Sequence, residues 1–387
     1  MHPEDIAKIN EILKSLKDKG NTVLIVEHDP DVIKEGDYII DMGPGSGKNG
    51  GEITFEGTYN ELLSSNTSTG NALRNKHNLK ENIREANHFY NIGPVTQNNL
   101  NNVKTSIPKH VLTVLTGVAG SGKSTLVKAG FENNDHTIFI DQKAVQGSNR
   151  SNLLTYLGVF DSVRSFFSKE TGLNKAMFSY NSKGACPNCG GKGYIKTELA
   201  FMGDFSQTCE VCHGKRYKQE VLDATIDGYS IADVLDLTVD EGIIFFDKKN
   251  DIKSKLQSVS KTGLNYMSLG QPLSTLSGGE IQRVKLAQHL DEEIKDSIFI
   301  FDEPTTGLHE SDIPILMECF DDLIDQNNTV ILIEHNLSIM CEADWIIDVG
   351  PGPGLDGGKV QFSGTPKNFI DSSETLTSKH LKRYINQ

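Results

Sequence analysis

The sequence lacks a long hydrophobic run, a secretion signal and an excess of basic residues. No apolar run approaches the roughly 20 residues of a transmembrane helix, so we expect no membrane span and no membrane partner. The first residues, MHPEDIAKINEILKSL, predict a helix with a polar face instead of a signal peptide, which favours a cytoplasmic protein. The net charge of −14 excludes a chain that is basic throughout. The 387 residues suffice for about two globular domains.

Cysteine is also scarce, and its spacing predicts a metal site rather than disulfides. Two C-x-x-C pairs lie nineteen residues apart, a spacing that fits tetrahedral thiolate ligation of Zn²⁺ in a reducing compartment. Four thiolates leave no open coordination position, so the metal is expected to fold the segment rather than to catalyse a reaction. Cys319 and Cys341 lie in apolar surroundings and are predicted to be core residues. The predicted zinc ligands are Cys186, Cys189, Cys209 and Cys212.

One glycine-rich loop, GVAGSGKST, lies between the apolar strand VLTVLT and a predicted helix. Such a loop turns its backbone N–H groups toward a phosphate. Lys123 is predicted to reach the β and γ phosphate oxygens of a nucleotide, and Ser124 to bind Mg²⁺. The loop residues predicted to bind ATP are Gly117, Gly120, Ser121, Gly122, Lys123, Ser124 and Thr125.

Two further motifs follow along the chain. The strand SIFIFDEP ends in Asp302, expected to hold Mg²⁺ through water, and Glu303, expected to polarise the attacking water. An Asp-Glu pair is common on protein surfaces, but this one follows a buried strand in a chain with a phosphate loop. The stretch LSGGE begins a predicted helix whose N terminus favours a γ-phosphate. Its predicted phosphate-binding residues are Ser277, Gly278, Gly279 and Glu280.

The order of these motifs resembles that of ABC-type ATPases. In this resemblance LSGGE is the signature motif, Gln142 is the glutamine that senses metal and water, and His335 is the switch histidine at the γ-phosphate. Outside this order, a glutamine or a histidine at a strand end is more often structural. ABC sites pair the phosphate loop of one domain with the signature of another. Hydrolysis is therefore expected to require self-association or another ABC half.

One segment occurs twice, although the phosphate loop does not. NTVLIVEHD matches NTVILIEHN, and the alignment runs without a gap from His2 and His309 through Asp41 and Asp348. Roughly twenty of the forty-five residues from Asn21 are identical in the second copy, which indicates two copies of one structural unit. Residues 1–70 are therefore predicted to be the C-terminal remnant of a first ABC domain.

The complete set of motifs resembles the UvrA family of bacterial DNA-damage-sensing ATPases, which carry two ABC domains and zinc modules. The resemblance covers nearly the whole chain, including YMSLGQPLSTLSGGEIQRVKLAQHL. It implies ATP, Mg²⁺ and Zn²⁺ as cofactors and double-stranded DNA as a partner. The first phosphate loop, signature and zinc module have no counterpart here. A UvrB-like partner is a further alternative, although the region that docks UvrB is also missing.

The short spacing between Ser124 and Gln142 is similar to that of short UvrA paralogues, some of which are linked to drug resistance. Nucleotide excision repair and protection from a DNA-binding drug therefore both stay open. A start inside a longer tandem protein is favoured over one piece of a split protein.

The first part of the insert before the signature is basic, whereas the remaining chain is acidic. From Gln142 to Gln219 there are eleven Lys and Arg against five Asp and Glu, a net charge of +6, which leaves −20 elsewhere. A confined basic region predicts contact with a polyanion such as DNA, although charge runs often simply face water. The predicted DNA contacts are Lys183, Lys192, Lys196, Lys215, Arg216 and Lys218.

The leading prediction is an ATP-dependent, DNA-binding ATPase of the UvrA type. One alternative is an ABC ATPase subunit of a membrane transporter, although the zinc insert stands where a transporter's coupling surface should lie. Another is a catalytically silent zinc-dependent module that binds DNA or protein. The predicted fold class is α/β, an ABC-type P-loop ATPase core with a mainly parallel sheet and a zinc-bearing helical insertion. The expected divisions are a remnant at 1–70, a linker at 71–90, an ABC domain at 91–141 and 266–387, and an insertion at 142–265 with its zinc module at 186–212.

Overall fold

The computed structural model describes residues 2–45, 47–75, 78–143, 151–199, 203–292 and 294–386. The chain divides into two compact units. The first, which we call the sheet unit, consists of Met1–Gln142 and Glu292–Gln387. The second, the insertion unit, consists of Lys143–Asp291. Within the described residues, every helix is too short or too polar to cross a bilayer.

Strands occur in both units. They are β1 (Ile39–Gly43), β2 (Glu52–Gly57), β3 (Phe89–Gln97), β4 (Leu100–Pro108), β5 (Leu112–Thr116), β6 (Thr137–Ile140), β7 (Tyr194–Leu199), β8 (Gly203–Thr208), β9 (Thr225–Ile226), β10 (Tyr229–Ser230), β11 (Ile298–Asp302), β12 (Thr329–Ile333), β13 (Trp345–Gly350) and β14 (Lys359–Gly364).

Helices connect most of these strands. They are α1 (Pro3–Asp18), α2 (Pro30–Ile33), α3 (Tyr59–Ser64), α4 (Ser68–Arg74), α5 (Lys123–Phe131), α6 (Leu153–Tyr156), α7 (Phe160–Thr171), α8 (Gln219–Leu222), α9 (Ile231–Asp236), α10 (Val239–Phe245), α11 (Asn250–Lys261), α12 (Gly278–Leu290), α13 (Ile313–Asp325), α14 (Leu337–Glu342), α15 (Pro366–Ser372) and α16 (Leu376–Ile385).

The main sheet of the sheet unit has six strands in the order β14-β13-β5-β12-β11-β6. Neighbouring strands are parallel except for β13 and β14, which are antiparallel. Every residue of β5 and of β12 is buried, as expected for parallel strands covered on both faces. The predicted α/β class with a mainly parallel sheet is confirmed. Because parallel strands end at the same edge, the segments that follow β5, β11 and β12 lie close together.

The insertion unit has its own apolar core, built mainly from helices. Phe167 of α7, Leu256 of α11 and Val284 of α12 are all fully buried in it. The sequence-based division assigned 266–291 to the ATPase core, whereas these residues lie in the insertion unit. The difference arises because α12 packs its apolar face, including Val284 and Ala287, against α11 and the rest of this core.

The repeated segment forms the same hairpin twice. β1 pairs with β2 and β13 pairs with β14, both antiparallel. Asp41 lies opposite Phe55, Asp348 lies opposite Phe362, and the register shifts immediately after each aspartate. Equal register and an equal irregularity show that the two copies share one local structure.

The segment before each hairpin has a different environment in the two copies. In the second copy it is β12, between β5 and β11, and Ile331 and Ile333 are almost completely buried. In the first copy residues 21–29 form no helix or strand, and the equivalent Leu24 and Val26 are 88% and 95% exposed. The same apolar pattern is therefore a core strand only where neighbouring strands cover it.

This contrast predicts unequal effects of equivalent substitutions on stability. Ile331→Ala is expected to lower the free energy of unfolding by about 2–5 kcal/mol, because it opens a cavity between covered strands. Leu24→Ala, at the equivalent exposed position, is expected to change it by less than about 0.5 kcal/mol. Chemical denaturation of both variants measures the difference. Equal losses would show that the first segment is packed in solution.

Candidate functional site

The phosphate loop links β5 to α5 at the edge of the main sheet. Gly117 has a φ of 127°, and a Cβ atom there would lie 2.0 Å from the carbonyl oxygen of Val349. Only glycine satisfies both the conformation and the close approach. The loop therefore enters α5 with its backbone N–H groups at the helix N terminus, where they can bind a phosphate.

Lys123 is the first residue of α5, and its side chain folds back over the loop. Its Nζ atom donates hydrogen bonds to the carbonyl oxygens of Gly117 at 2.8 Å and Val118 at 2.9 Å. Burial lowers the pKa of Lys123 to about 8, although the nearby Glu303 and Asp348 carboxylates favour its charged form. An anion such as a phosphate would favour that charged form further.

Ser124 and Asp302 form the next part of the site. The Ser124 hydroxyl donates a hydrogen bond to Oδ1 of Asp302 at 3.3 Å, and Lys128 Nζ lies 3.6 Å from Oδ2 of the same carboxylate. A serine hydroxyl beside a carboxylate supplies the hard oxygen ligands that Mg²⁺ prefers. The residues therefore fit a magnesium ion held next to bound phosphates.

Glu303 directly follows β11 and has a left-handed backbone, with a φ of 53°. A non-glycine residue in this region is strained, and such strain is concentrated at functional sites. Burial and the neighbouring Glu334 carboxylate raise the pKa of Glu303, which makes it a better proton acceptor than an ordinary glutamate. Gln142 Nε2 donates to the Glu303 carbonyl oxygen at 3.1 Å, so the glutamine lies beside the candidate base.

His335 lies at the end of β12, and its Nε2 atom is 3.7 Å from Oε1 of Glu303. Burial, together with the positive charge of Lys123 and the proximity of His2, lowers the pKa of His335 to about 2. The imidazole is therefore neutral, and its contact with Glu303 is not an ion pair. Its Nδ1 atom is buried without a hydrogen-bond partner in the described part of the chain. A neutral histidine with an unused polar atom can bind a ligand oxygen.

Glu334 is a further residue at this edge that the sequence analysis did not single out. Its Oε1 atom accepts hydrogen bonds from the backbone N–H of Thr305, at 2.9 Å, and from the Thr305 hydroxyl. Its Oε2 atom accepts from the N–H groups of His335 at 2.7 Å and Asn336 at 3.1 Å. The carboxylate thus ties the turn after β11 to the end of β12. The Glu-His pair common to both copies was the signal that could have identified it.

The signature stretch begins α12 in the insertion unit. Ser277 caps the helix, since its side chain accepts a hydrogen bond from the N–H of Glu280 at 3.3 Å, while Glu280 accepts from the N–H of Ser277 at 2.8 Å. Tyr266 donates its hydroxyl to Glu280 at 2.7 Å. Burial opposes ionisation of Glu280, but the bonds from Tyr266 and Ser277 prevail and lower its pKa. Ser277 is exposed at a rigid helix N terminus, which suits an anion.

The sheet unit thus brings together the predicted site residues from four separate segments. They are the phosphate loop from Gly117 to Thr125, Gln142, the Asp302-Glu303 pair and His335. Ser277, Gly278, Gly279 and Glu280 form a separate, capped helix start in the insertion unit.

The four paired cysteines form a second candidate site. Their Sγ atoms all lie within 4.8 Å of one another, with Cys186 and Cys209 at 4.0 Å and Cys189 and Cys212 at 3.7 Å. Tetrahedral zinc, with Zn–S bonds of about 2.3 Å, places sulfurs about 3.8 Å apart, whereas a disulfide requires about 2.0 Å. The geometry therefore fits zinc and excludes disulfides among these residues.

Backbone and side-chain groups around the cysteines also suit thiolates. The N–H of Gly193 donates to Cys189 Sγ at 3.2 Å, and Asn188 Nδ2 donates to Cys209 Sγ at 3.3 Å. Gly191 has a φ of 79°, and a Cβ atom there would lie 1.8 Å from the Tyr180 carbonyl oxygen. The turn that follows the first C-x-x-C pair therefore requires glycine at position 191.

The six basic residues predicted to contact DNA have unequal surroundings. Lys215 lies 2.8 Å from the Asp233 carboxylate, and Arg216 lies over the ring of Tyr180 at 5.3 Å, so both have partners within the insertion unit. Lys218 is half-buried. Lys183, Lys192, Lys196 and Lys215 are exposed, and of these Lys215 is paired with Asp233. Tyr180 itself is fully buried and belongs to the core of the insertion unit rather than to a surface for base stacking.

These features define an ABC-type ATP-binding protein. One edge of a mainly parallel sheet carries a phosphate loop, an Asp-Glu pair, a glutamine and a histidine, and a Ser-Gly-Gly stretch begins a helix of the insertion unit. A family model described as "ABC transporter" matches residues 100–306. Over 420 aligned residues the chain is 41% identical to UvrABC system protein A of Aquifex aeolicus (strain VF5) and 42% identical to that of Clostridium perfringens (strain 13 / Type A). Each alignment covers all of this chain but 45% of the relative.

Among solved structures, the chain is similar to the crystal structure of UvrA2 from Deinococcus radiodurans. The TM-score is 0.92 at 38% identity, and the match covers all of this chain and 50% of that one. The chain belongs to the ABC-type ATPase family and, within it, to the UvrA group. The predicted relationship is thus confirmed, and the chain spans about half the length of the curated relatives it matches.

The cysteine cluster predicts about one zinc ion per chain, measurable by elemental analysis. Cys209→Ser is expected to lose the zinc and to increase amide hydrogen exchange in the insertion unit, because structural zinc contributes on the order of 10 kcal/mol to folding of small zinc domains. Cys341→Ala is the matched control, since Cys341 is also buried but lies in the sheet unit. A wild-type chain purified without chelators and free of zinc would contradict the assignment.

Proposed function

We propose that the chain is an ATP-hydrolysing, DNA-binding protein of the UvrA type that acts in DNA repair or in a related protection of DNA. One observation carries the ATPase part: Lys123, Ser124, Asp302, Glu303 and His335 meet at one edge of the sheet. The DNA part rests on the similarity to UvrABC system protein A over the whole chain and on the basic segment from Gln142 to Gln219.

Each site residue has a distinct proposed role in this reaction. The loop N–H groups and Lys123 bind the phosphates, and Ser124 and Asp302 hold the metal ion. A magnesium ion, when bound, would neutralise charge that develops on the phosphate oxygens. Glu303 accepts the proton of the attacking water, a role supported by its raised pKa. His335, neutral because of its burial, donates a hydrogen bond toward the γ-phosphate.

The signature residues Ser277 to Glu280 lie in the insertion unit, whereas the phosphate loop lies in the sheet unit. Because ABC sites combine these parts from two domains, we propose that turnover depends on pairing with a second chain or another ABC half. ATP turnover per chain should then rise with protein concentration until pairing is complete, and enzyme titration measures it.

Glu303→Gln tests the catalytic assignment. The amide cannot accept the proton, so steady-state ATP turnover should fall by roughly 10²- to 10⁴-fold while nucleotide affinity is retained. A coupled phosphate-release assay measures turnover, and fluorescence titration with a nucleotide analogue measures affinity. Glu318→Gln is the matched control, because Glu318 is an exposed glutamate of α13 in the same unit. Undiminished turnover in Glu303→Gln would remove this residue from its role.

We propose that exposed lysines near the cysteine cluster contact DNA phosphates. Lys183 precedes the first C-x-x-C pair and Lys192 follows it, and both side chains are exposed. A rigid zinc-bound turn would hold these ammonium groups in place, which favours contact with the phosphate backbone over reading of bases. The bound zinc is proposed to act through this rigidity alone.

The double variant Lys183→Glu/Lys192→Glu tests this surface. Binding of duplex DNA should weaken, and the slope of log affinity against log salt should become shallower by about 2, roughly one per lost contact. Fluorescence anisotropy over a range of salt concentrations measures both quantities. Lys359→Glu/Lys367→Glu changes the net charge equally at exposed positions of the sheet unit and serves as control. An unchanged slope in the first variant would place the DNA elsewhere.

A further inference from the structure

Two equivalent histidines each contact the opposite copy of the repeated unit. His2, which precedes α1, has its Nε2 atom 3.0 Å from the hydroxyl of Thr377 in α16. His309, its counterpart in the alignment, has its Nε2 atom 3.1 Å from the hydroxyl of Thr69 in α4. Each threonine is the second residue of its helix. The histidine of one copy therefore contacts the helix that follows the hairpin of the other copy.

Each threonine hydroxyl also donates a hydrogen bond to an aspartate, and the two aspartates are equivalent in the repeat. The Thr377 hydroxyl donates to Oδ1 of Asp348 at 3.4 Å, and the Thr69 hydroxyl donates to Oδ1 of Asp41 at 2.8 Å. These aspartates occupy the same position, directly before the irregularity in each hairpin. The result is two reciprocal His-Thr-Asp groups, each with its histidine from one copy and its threonine and aspartate from the other.

The direction of these hydrogen bonds follows from the other ring nitrogen. Nδ1 of His2 accepts from the N–H of Glu4 at 3.2 Å, and Nδ1 of His309 accepts from the N–H of Ser311 at 3.2 Å. A neutral imidazole with an accepting Nδ1 carries its proton on Nε2, so each histidine donates to its threonine. Burial lowers the pKa of His2 to about 4, which keeps its ring neutral. Donors and acceptors match along the whole group.

Only one of the two groups adjoins a phosphate loop. Asp348 is buried in β13, beside β5, and a Cβ atom on Gly117 would lie 3.1 Å from its Oδ1 atom. The carboxylate thus lies against the backbone where the phosphate loop begins. The ring of His2 also packs edge-to-face on His335 at 5.7 Å between centroids. Asp41 and Thr69 of the other group lie in the first copy, which has no such loop within this chain.

We propose that His2 is a positioning residue for nucleotide binding: through Thr377 it holds Asp348 against Gly117 and so maintains the binding conformation of the phosphate loop. The first copy of the repeat thereby controls the nucleotide affinity of the second. This inference rests on the proposed binding of ATP at the loop. The reciprocal group of His309, Thr69 and Asp41 also links the two copies, but within this chain it adjoins no phosphate loop.

Thr377→Val removes the hydroxyl while keeping the shape of the side chain. ADP affinity, measured with a fluorescent analogue, should weaken by about tenfold, because a buried bond to a carboxylate is lost. Thr377→Ser keeps the hydroxyl and should restore affinity to within about twofold. His2→Ala should weaken binding by a similar factor, and the double variant should bind no worse than either single one, because both changes break one group.

Thr69→Val is the matched control, since it breaks the equivalent group away from the loop. It should lower thermal stability about as much as Thr377→Val but leave ADP affinity within about twofold. Equal weakening by Thr69→Val and Thr377→Val, or wild-type affinity in both Thr377→Val and His2→Ala, would overturn the inference. If Thr377→Val does not fold, the ADP affinities of His2→Ala and His309→Ala provide the same comparison between the two groups. A wild-type chain that does not bind ADP would instead contradict the proposed function.

Discussion

The candidate site depends on the parallel arrangement of β5, β12 and β11 in the centre of one sheet. Parallel strands deliver the residues that follow them to the same edge, although those residues are far apart in sequence. The phosphate loop, the Asp302-Glu303 pair and His335 meet only for this reason. Burial of these strands on both faces makes their register specific, because a slip would place polar residues in the core.

Burial of this edge then sets the chemistry of its side chains. Burial favours neutral forms, so it lowers the pKa values of Lys123 and His335 and raises that of Glu303. A charged nucleotide and its metal ion would reverse much of this effect of burial on the pKa values. The same burial that is costly without a ligand therefore makes the site responsive to one. Glu334 adds rigidity by joining two of the strand ends.

The two copies of the repeat show how far local sequence carries structure. Both hairpins have the same register and the same irregularity, which their matching residues alone can specify. The preceding apolar segments match equally well, but one is a buried central strand and the other is exposed. Strand formation requires hydrogen-bonding neighbours, which a single segment cannot supply. The histidines that cross between the copies depend in the same way on how the copies pack.

The sequence by itself determined the family, the mainly parallel sheet, the phosphate loop and the cysteine cluster, because each follows from short-range pattern or spacing. Tertiary structure decided which unit contains α12, since its apolar residues meet partners that are distant in the chain. It also decided the role of Glu334 and the link from His2 through Thr377 to Asp348. Such contacts join residues separated by up to 375 positions, and no local pattern specifies which distant groups a buried side chain will reach.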